Sequence, residues 1–169
     1  MTKGAREELL LLLQKCVRYD IIISPINKNL QVNSMRIRKV VVLPYDMAWQ
    51  SAFEKIKGEI EEAIGGLIIG IEHVGSTSVE GMSAKPCIDI DVIIKDYSAF
   101  TAVVDGLKAI GYIHEGDLGI KEREAFKYSG KEHLQMHHLY VCPQKSEELH
   151  RHITFRDFLR SNPDRKSVV

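Results

Sequence analysis

Residues 87–94, in the middle of the chain, constrain the fold more than any other part of the sequence. This segment alternates two aspartates, Asp89 and Asp91, with isoleucine and valine. Successive side chains of a β-strand point to opposite faces of the sheet, so the pattern predicts a strand with one apolar face and one acidic face. The apolar face requires a hydrophobic core, and the acidic face requires a partner that balances its charge.

The two carboxylates of this strand lie on the same face, about 7 Å apart. Like charges at that distance repel each other and make burial of either group less favourable. A divalent cation removes the repulsion, and magnesium characteristically binds one or two carboxylates together with substrate phosphate oxygens. The pattern therefore predicts a site for Mg²⁺ or Mn²⁺ held by Asp89 and Asp91.

A loop of small residues precedes the acidic strand. Gly75 and Ser76 follow a predicted strand over residues 67–74, and Lys85 stands shortly before the aspartates. A glycine lets the backbone approach a ligand, serine and backbone N–H groups bind phosphate, and lysine adds a point charge. Loop and strand together predict a phosphate site beside a metal site, as phosphoryl or nucleotidyl transfer requires. We expect both aspartates to face one solvent-accessible cleft beside this loop.

Hydrophobic periodicity predicts helices interleaved with strands. After Asp46, a candidate helix cap, apolar residues repeat at helical spacing: Trp49, Phe53, Ile56, Ile60 and Ile64. Two further helices are predicted, over residues 98–110 and from Ser146 onward. Strands are predicted over residues 36–43, 67–74 and 87–94. The segments 124–128 and 133–142 flank Ser129-Gly130 and predict a β-hairpin. This order indicates one α+β domain with helices packed on a sheet.

The composition excludes several classes of protein and partner. The 169 residues are 44% hydrophobic, and 23 basic residues balance 23 acidic ones, so the formal net charge is zero. A balanced chain has no general attraction to nucleic acid or to anionic membranes, and neither is an expected partner. No apolar run reaches the length of a membrane span. Three widely separated cysteines, Cys16, Cys87 and Cys142, argue against disulfides or a cysteine zinc site and favour a cytoplasmic location.

The first 34 residues differ from the rest of the chain. They contain a short leucine-rich segment followed by a polar connector rich in asparagine. We expect residues 1–34 to be an N-terminal extension outside the functional domain, which would comprise residues 35–169. The alternative is an additional helix packed on that domain.

Several motifs resemble those of a known family. Gly75-Ser76 followed after twelve residues by Asp89-Ile90-Asp91-Val92 resembles the signature of the DNA polymerase β-like nucleotidyltransferase superfamily. The wider segments resemble the GrpB family within it, namely residues 42–46 with Trp49, 71–79, 84–91, 136–141 and 152–159. This similarity extends over about three quarters of the chain, from residue 37 to residue 163.

The resemblance implies a nucleotidyltransferase-like mixed β-sheet and a metal-dependent transfer from a nucleoside triphosphate to an unidentified small-molecule or protein acceptor. Asp89 and Asp91 would hold the metal. The residues expected around the triphosphate are Gly75, Ser76, Thr77, Lys85 and Arg123, with His73 bracing the loop. The third carboxylate that often completes such sites is not located. Of the neighbours His137 and His138, we expect His138 to face the carboxylates, as base or phosphate donor, and the remaining histidines to be surface groups.

Two other functions remain open at this point. A protein with the same fold could bind a nucleotide or another phosphorylated ligand without catalysis, since no third carboxylate is evident. A histidine–carboxylate metallohydrolase is the weaker alternative, because the histidines show no zinc-binding spacing. Arg156, among apolar residues of the last helix, is expected to pair with Asp157 or another carboxylate rather than with a ligand.

Overall fold

The structure, a computed structural model, describes residues 41–168. Within that range three α-helices and five β-strands follow one another along the chain. Their bounds are α1 Ala48–Ile64, β1 Gly70–Val74, β2 Ile88–Ile94, α2 Phe100–Ala109, β3 Tyr112–Gly116, β4 Glu124–Tyr128, β5 His137–Pro143 and α3 Glu147–Ser161. None of these helices is long and apolar enough to cross a bilayer. The expected extension over residues 1–34 lies outside the described residues.

The five strands form one mixed sheet in the order β1-β2-β5-β4-β3. β2 and β5 are parallel, and the other neighbours are antiparallel. Asp89 on β2 lies opposite Val74 on β1 and His138 on β5. The prediction of one α+β fold with a mixed sheet and packed helices is confirmed.

One face of the sheet carries the hydrophobic core. The predicted apolar residues of α1 are all buried, and the backbone N–H of Ala48 donates to the Asp46 carboxylate at the start of this helix (2.8 Å). α1 and α2 pack against the inward side chains of β2 and β5, among them Ile88, Ile90 and Leu139. Removal of this apolar surface from water is the main force that holds the two helices on the sheet.

α3 packs on the opposite, polar face. Ser146 caps its N-terminus, as predicted, and the Ser146 Oγ accepts a hydrogen bond from the backbone N–H of Leu149. Further along, the Arg156 guanidinium bonds to Glu72 Oε2 (2.5 Å), to the backbone oxygen of His73 (3.0 Å) and to Asp157 Oδ1 (2.8 Å). The expected ion pair of Arg156 with Asp157 is therefore present, and the same side chain attaches α3 to β1.

Two sequence predictions of local structure differ from the observed fold, and one strand has no predicted counterpart. In the predicted strand 36–43 the described part makes a single bridge, between Leu43 and Ala84. The second hairpin arm begins at His137 rather than residue 133. Before it, Lys131 and His133 bind the Glu59 carboxylate of α1 instead of pairing with β4. The strand β3 was not predicted, and it forms the edge of the sheet beside β4.

Candidate active site

Two aspartates of β2 form the centre of the polar face. Asp89 is partly exposed, with 32% of its side chain accessible, whereas Asp91 is completely buried. The two side chains share a face, because they are two residues apart on a regular strand. The expectation that both would reach a solvent-accessible cleft is therefore wrong for Asp91, which is buried beneath α3.

The loop after β1 touches the first aspartate. Gly75 has φ of +69°, and a Cβ atom at this position would collide with Asp89 Oδ2. Only glycine combines that backbone conformation with so close an approach. Within the same turn, the Ser78 hydroxyl donates to the backbone oxygen of Gly75 (2.6 Å). The loop and the acidic strand therefore form one continuous surface, as the sequence spacing predicts.

His73 and Thr77 hold this loop from the core side. The Nε2 atom of His73 and the Thr77 hydroxyl are 3.0 Å apart, and the same hydroxyl donates to the backbone oxygen of Cys87 (3.3 Å). The His73 ring stacks on Phe53 of α1, with ring centres 4.7 Å apart. Burial lowers the pKa of His73 to about 4, so the ring is neutral. Thr77, expected around the triphosphate, is thus buried beneath the loop.

Asp89 is paired with His138, across the parallel strands. His138 Nδ1 lies 2.8 Å from Asp89 Oδ1, and the Cys87 sulfur lies 3.7 Å from the same nitrogen. The hydrogen bond to Asp89 raises the pKa of His138 to about 10, with a smaller contribution from Cys87. In the metal-free protein His138 is therefore a cation at neutral pH and a donor of hydrogen bonds rather than a base.

Asp91 begins a chain of buried charges that leads into α3. Its Oδ2 lies 2.7 Å from His152 Nδ1, and His152 Nε2 lies 3.2 Å from Glu148 Oε1. Glu148 also pairs with Arg151 (2.6 Å). Burial opposes the charge of His152, but the hydrogen bonds to Asp91 and Glu148 raise its pKa to about 9. The second oxygen of Asp91, Oδ1, is buried without a hydrogen-bond partner among the described residues.

Arg123 brings a positive charge to the same face. Its guanidinium carbon lies 4.4 Å from the centre of the Tyr140 ring, and Tyr140 stands opposite Asp91 on β5. Arg123 is buried, and its Nε has no hydrogen-bond partner among the described residues. A buried arginine with an unsatisfied N–H favours an anionic partner nearby.

The remaining predicted residues lie at the edge of this arrangement. Ser76 is half-buried in the turn that follows Gly75, and Lys85 is exposed two residues before Cys87. The expectation that the other histidines are surface groups is wrong for His137, which is buried behind Tyr128, and for His152. The i,i+4 spacing of Glu148 and His152 in the sequence was a signal for this pair, but it does not identify Asp91 as the partner.

Similarity to solved structures identifies the class of fold. The Cid1 poly(U) polymerase bound to MgATP matches this chain with a TM-score of 0.52 and 8% identity, over 74% of this chain and 41% of that one. An identity this low shows the fold alone, which is nucleotidyltransferase-like, and this part of the fold prediction is confirmed.

Sequence similarity then gives the family. The family described as GrpB protein matches residues 39–167, and the chain belongs to it, as its motifs indicate. The UPF0157 protein YqkA of Bacillus subtilis is 35% identical over 127 residues, which are 75% of this chain but only 36% of that relative. The crystal structure of conserved protein GrpB from Enterococcus faecalis matches with a TM-score of 0.67 and 29% identity, over 76% of this chain and 77% of that one.

Proposed function

We propose that this protein is a metal-dependent nucleotidyltransferase, which transfers a nucleotidyl group from a nucleoside triphosphate to a small-molecule or protein acceptor. The contact of Gly75 with Asp89 carries the proposal, because it joins a loop suited to phosphate with a carboxylate suited to a metal. The likeness of the fold to a polymerase whose structure contains MgATP supports it. The zero net charge favours an acceptor other than nucleic acid.

The aspartates fit a divalent cation. Asp91 Oδ1 is a buried carboxylate oxygen without a hydrogen-bond partner among the described residues, and Asp89 exposes part of its carboxylate on the same face. Such an unsatisfied oxygen is costly unless a cation or water binds it. Asp89 and Asp91 would therefore hold Mg²⁺ or Mn²⁺, which neutralises charge on the phosphates when bound.

The side chains around the aspartates are suited to binding and orienting a triphosphate. The Gly75 backbone and Ser76 would contact its oxygens, and the exposed Lys85 would add an ammonium group. Arg123, fixed on the Tyr140 ring, would stabilise negative charge that develops during transfer. Protonated His138 would donate a hydrogen bond to phosphate rather than accept a proton from the acceptor.

A second candidate is a nucleotide-binding protein without catalysis. Tyr140 occupies the β5 position opposite Asp91, where a third carboxylate could have completed the site, and Asp91 itself is paired with His152. These two features favour binding over turnover. Both candidates require the same metal and triphosphate site, so measurements of binding and of turnover are needed together.

The first experiment measures pyrophosphate release. The full chain is incubated with Mg²⁺ or Mn²⁺ and each of ATP, GTP, CTP and UTP, with a cell extract as the source of acceptor. We expect release with at least one nucleotide and its loss in Asp91→Asn, by roughly a hundredfold, because metal stabilisation of the transition state supplies several kcal/mol. Asp105→Asn, the same change at an exposed position of α2, is the matched control and retains the activity.

A second measurement separates the two candidates. Metal and nucleotide that bind the folded state raise the melting temperature, by several degrees at a hundredfold excess over the dissociation constant. A shift without pyrophosphate release identifies the non-catalytic candidate. If neither cation moves the melting point with any of the four nucleotides, both candidates are wrong.

A further inference from the structure

We propose that Cys87, Asp89 and His138 form a binding site for a transition-metal ion of the zinc class, with a set of ligands different from the aspartate pair. One ligand atom of each side chain lies within 4.8 Å of the ligand atoms of the other two. The inference goes beyond nucleotidyl transfer and does not require it, because it concerns an ion that can be measured directly. The two sites share Asp89.

The strand pairing brings these three side chains together. Cys87 immediately precedes β2 and lies two residues before Asp89. His138 is the β5 residue paired with Asp89 in the parallel ladder. Cysteine and histidine are 51 residues apart in the sequence, so their spacing does not predict a metal site.

The distances between the ligand atoms approach those of a tetrahedral site. His138 Nδ1 lies 2.8 Å from Asp89 Oδ1 and 3.7 Å from Cys87 Sγ. Zinc bonds of about 2.0–2.3 Å at tetrahedral angles separate neighbouring ligand atoms by about 3.3–3.6 Å. The nitrogen–sulfur distance already approaches this range, and the nitrogen–oxygen distance would have to lengthen by about half an ångström. The carboxylate oxygen and the sulfur lie within 4.8 Å of each other, and side-chain rotations would bring them to the tetrahedral separation.

The chemistry of the ligands selects the ion. A thiolate, an imidazole and a carboxylate together suit zinc and its borderline neighbours, whereas magnesium prefers oxygen ligands in an octahedron. Three protein ligands leave one tetrahedral position for water or substrate, which is the pattern of catalytic rather than structural zinc sites. About a third of the Asp89 side chain and 41% of His138 are exposed, so an ion can enter from solvent.

The surroundings hold two of these ligands in place. The backbone oxygen of Cys87 accepts the Thr77 hydroxyl, which also contacts the buried His73. Gly75 packs against Asp89 Oδ2, while the other oxygen, Oδ1, faces His138. Outer contacts of this kind orient metal ligands and raise affinity. The same loop that would contact a triphosphate therefore positions Asp89 for the zinc-class ion.

Cobalt(II) titration of the full chain tests the site directly. A cysteine thiolate bound to Co²⁺ gives a charge-transfer band in the near ultraviolet, which carboxylate or imidazole ligands do not give. The parent protein carries Cys16→Ser, since Cys16 lies outside the described residues, and is kept reduced and free of metal. We expect a thiolate band that saturates at one Co²⁺ per chain and disappears when Zn²⁺ is added.

Four variants locate the ligands. We expect Cys87→Ser to remove the band and Cys142→Ser, the matched buried cysteine, to retain it. His138→Gln should weaken Co²⁺ affinity by about tenfold or more, since loss of an outer contact alone costs that much. Asp91→Asn should retain the band, because this residue is not among the three ligands. Circular dichroism of each variant verifies that it is folded.

Clear outcomes overturn the inference. Absence of a thiolate band in the parent protein, whose fold circular dichroism also verifies, is one. A band that survives in folded Cys87→Ser is another. Pyrophosphate release measured on the same samples separates the two proposals: a band without release refutes nucleotidyl transfer only, and release without a band refutes the zinc-class site only.

Discussion

The two faces of the sheet shift the pKa of histidine in opposite directions. His137 and His138 are neighbours on β5, yet burial lowers the pKa of His137 whereas the hydrogen bond to Asp89 raises that of His138 to about 10. His137 stacks on Tyr128 and bonds to the Tyr112 hydroxyl (2.8 Å), on the face that carries the core. The partners on each face, rather than position in the sequence, therefore decide the charge of each ring.

We expect the two faces of the sheet to have different roles, one in stability and the other in ligand binding. Apolar side chains under α1 and α2 stabilise the fold, and burial lowers the pKa values of His73 and His137 on the same face. The opposite face contains buried charges that are paired with one another, such as Asp91 with His152, and that do not maximise stability. We expect substitutions on the core face to change only the free energy of unfolding, and substitutions on the polar face to change ligand binding as well.

The largest effect on stability is expected at Ile90. This residue stands between Asp89 and Asp91 in the sequence, but its side chain is completely buried on the core face. Ile90→Ala should lower the free energy of unfolding by about 2–5 kcal/mol, through lost burial and the cavity that remains. Ile113→Ala, the same change at an exposed position of β3, should alter it by less than about 0.5 kcal/mol. Urea unfolding measures both, and equal losses would contradict the division between the faces.

The next effect concerns acid. The pKa of His73 in the folded state is about 4, below the ordinary value of 6.5, so the unfolded chain takes up a proton first. The stability that depends on neutral His73 is complete above pH 6.5 and declines by about 3 kcal/mol towards pH 4. We expect His73→Gln to remove this part of the acid sensitivity in urea unfolding at pH 7, 6, 5 and 4.

His138→Gln provides the opposite sign in the same experiment. Because the pKa of His138 is raised to about 10, its contribution to stability is complete below pH 6.5 and is lost as the pH rises through 10. The difference between wild type and His138→Gln should therefore shrink in alkali, in buffer with a metal chelator. If His73→Gln and His138→Gln changed the pH dependence of stability in the same direction, the two faces would not set the charge of their histidines in opposite ways.

A smaller effect is expected at Gly75. Gly75→Ala introduces strain at positive φ and a collision with Asp89, whereas Gly81→Ala introduces the strain alone, since no atom lies within 4 Å of its added Cβ. Both should lose about 1–2 kcal/mol of stability from the backbone. Only Gly75→Ala should also remove the thermal shift produced by metal and triphosphate. Retention of that shift would place ligand binding away from this loop.

The smallest effect is expected at Lys85. Lys85→Ala removes an exposed ammonium and should leave the melting temperature of the free protein unchanged. It should weaken triphosphate binding severalfold, through loss of one charge-assisted contact. Titration calorimetry measures the change, with Lys95→Ala, an exposed lysine beyond the end of β2, as the matched control. Equal affinities of the two variants would remove Lys85 from the site.

Local sequence patterns predicted the strand that carries the two aspartates and the helix packed behind it. The period of two along β2 places Asp89 and Asp91 on one face, and the repeat of Trp49 and Phe53 with the isoleucines places α1 on the core. These predictions depend only on residues close in sequence. They are confirmed because the apolar residues whose spacing indicates a strand or a helix are also the residues that turn towards the core.

Contacts between distant residues could not be predicted in this way. His152 meets Asp91 from 61 residues away, and that distance in sequence gives no indication of the pair. The burial of Asp91 follows from the position of α3, which Arg156 fixes through Glu72 on β1. The segment before β5 likewise has a partner distant in sequence, since Lys131 binds Glu59 of α1.

The parallel pairing of β2 with β5 also affects how quickly the candidate site forms during folding. Asp89 and His138 are 49 residues apart, so their contact requires closure of a long loop, at an entropic cost that local turns do not carry. Non-local strand pairings of this kind slow folding. During refolding, helical signal should therefore recover before ligand binding, and a nascent chain would acquire its candidate site only after β5 has been synthesised.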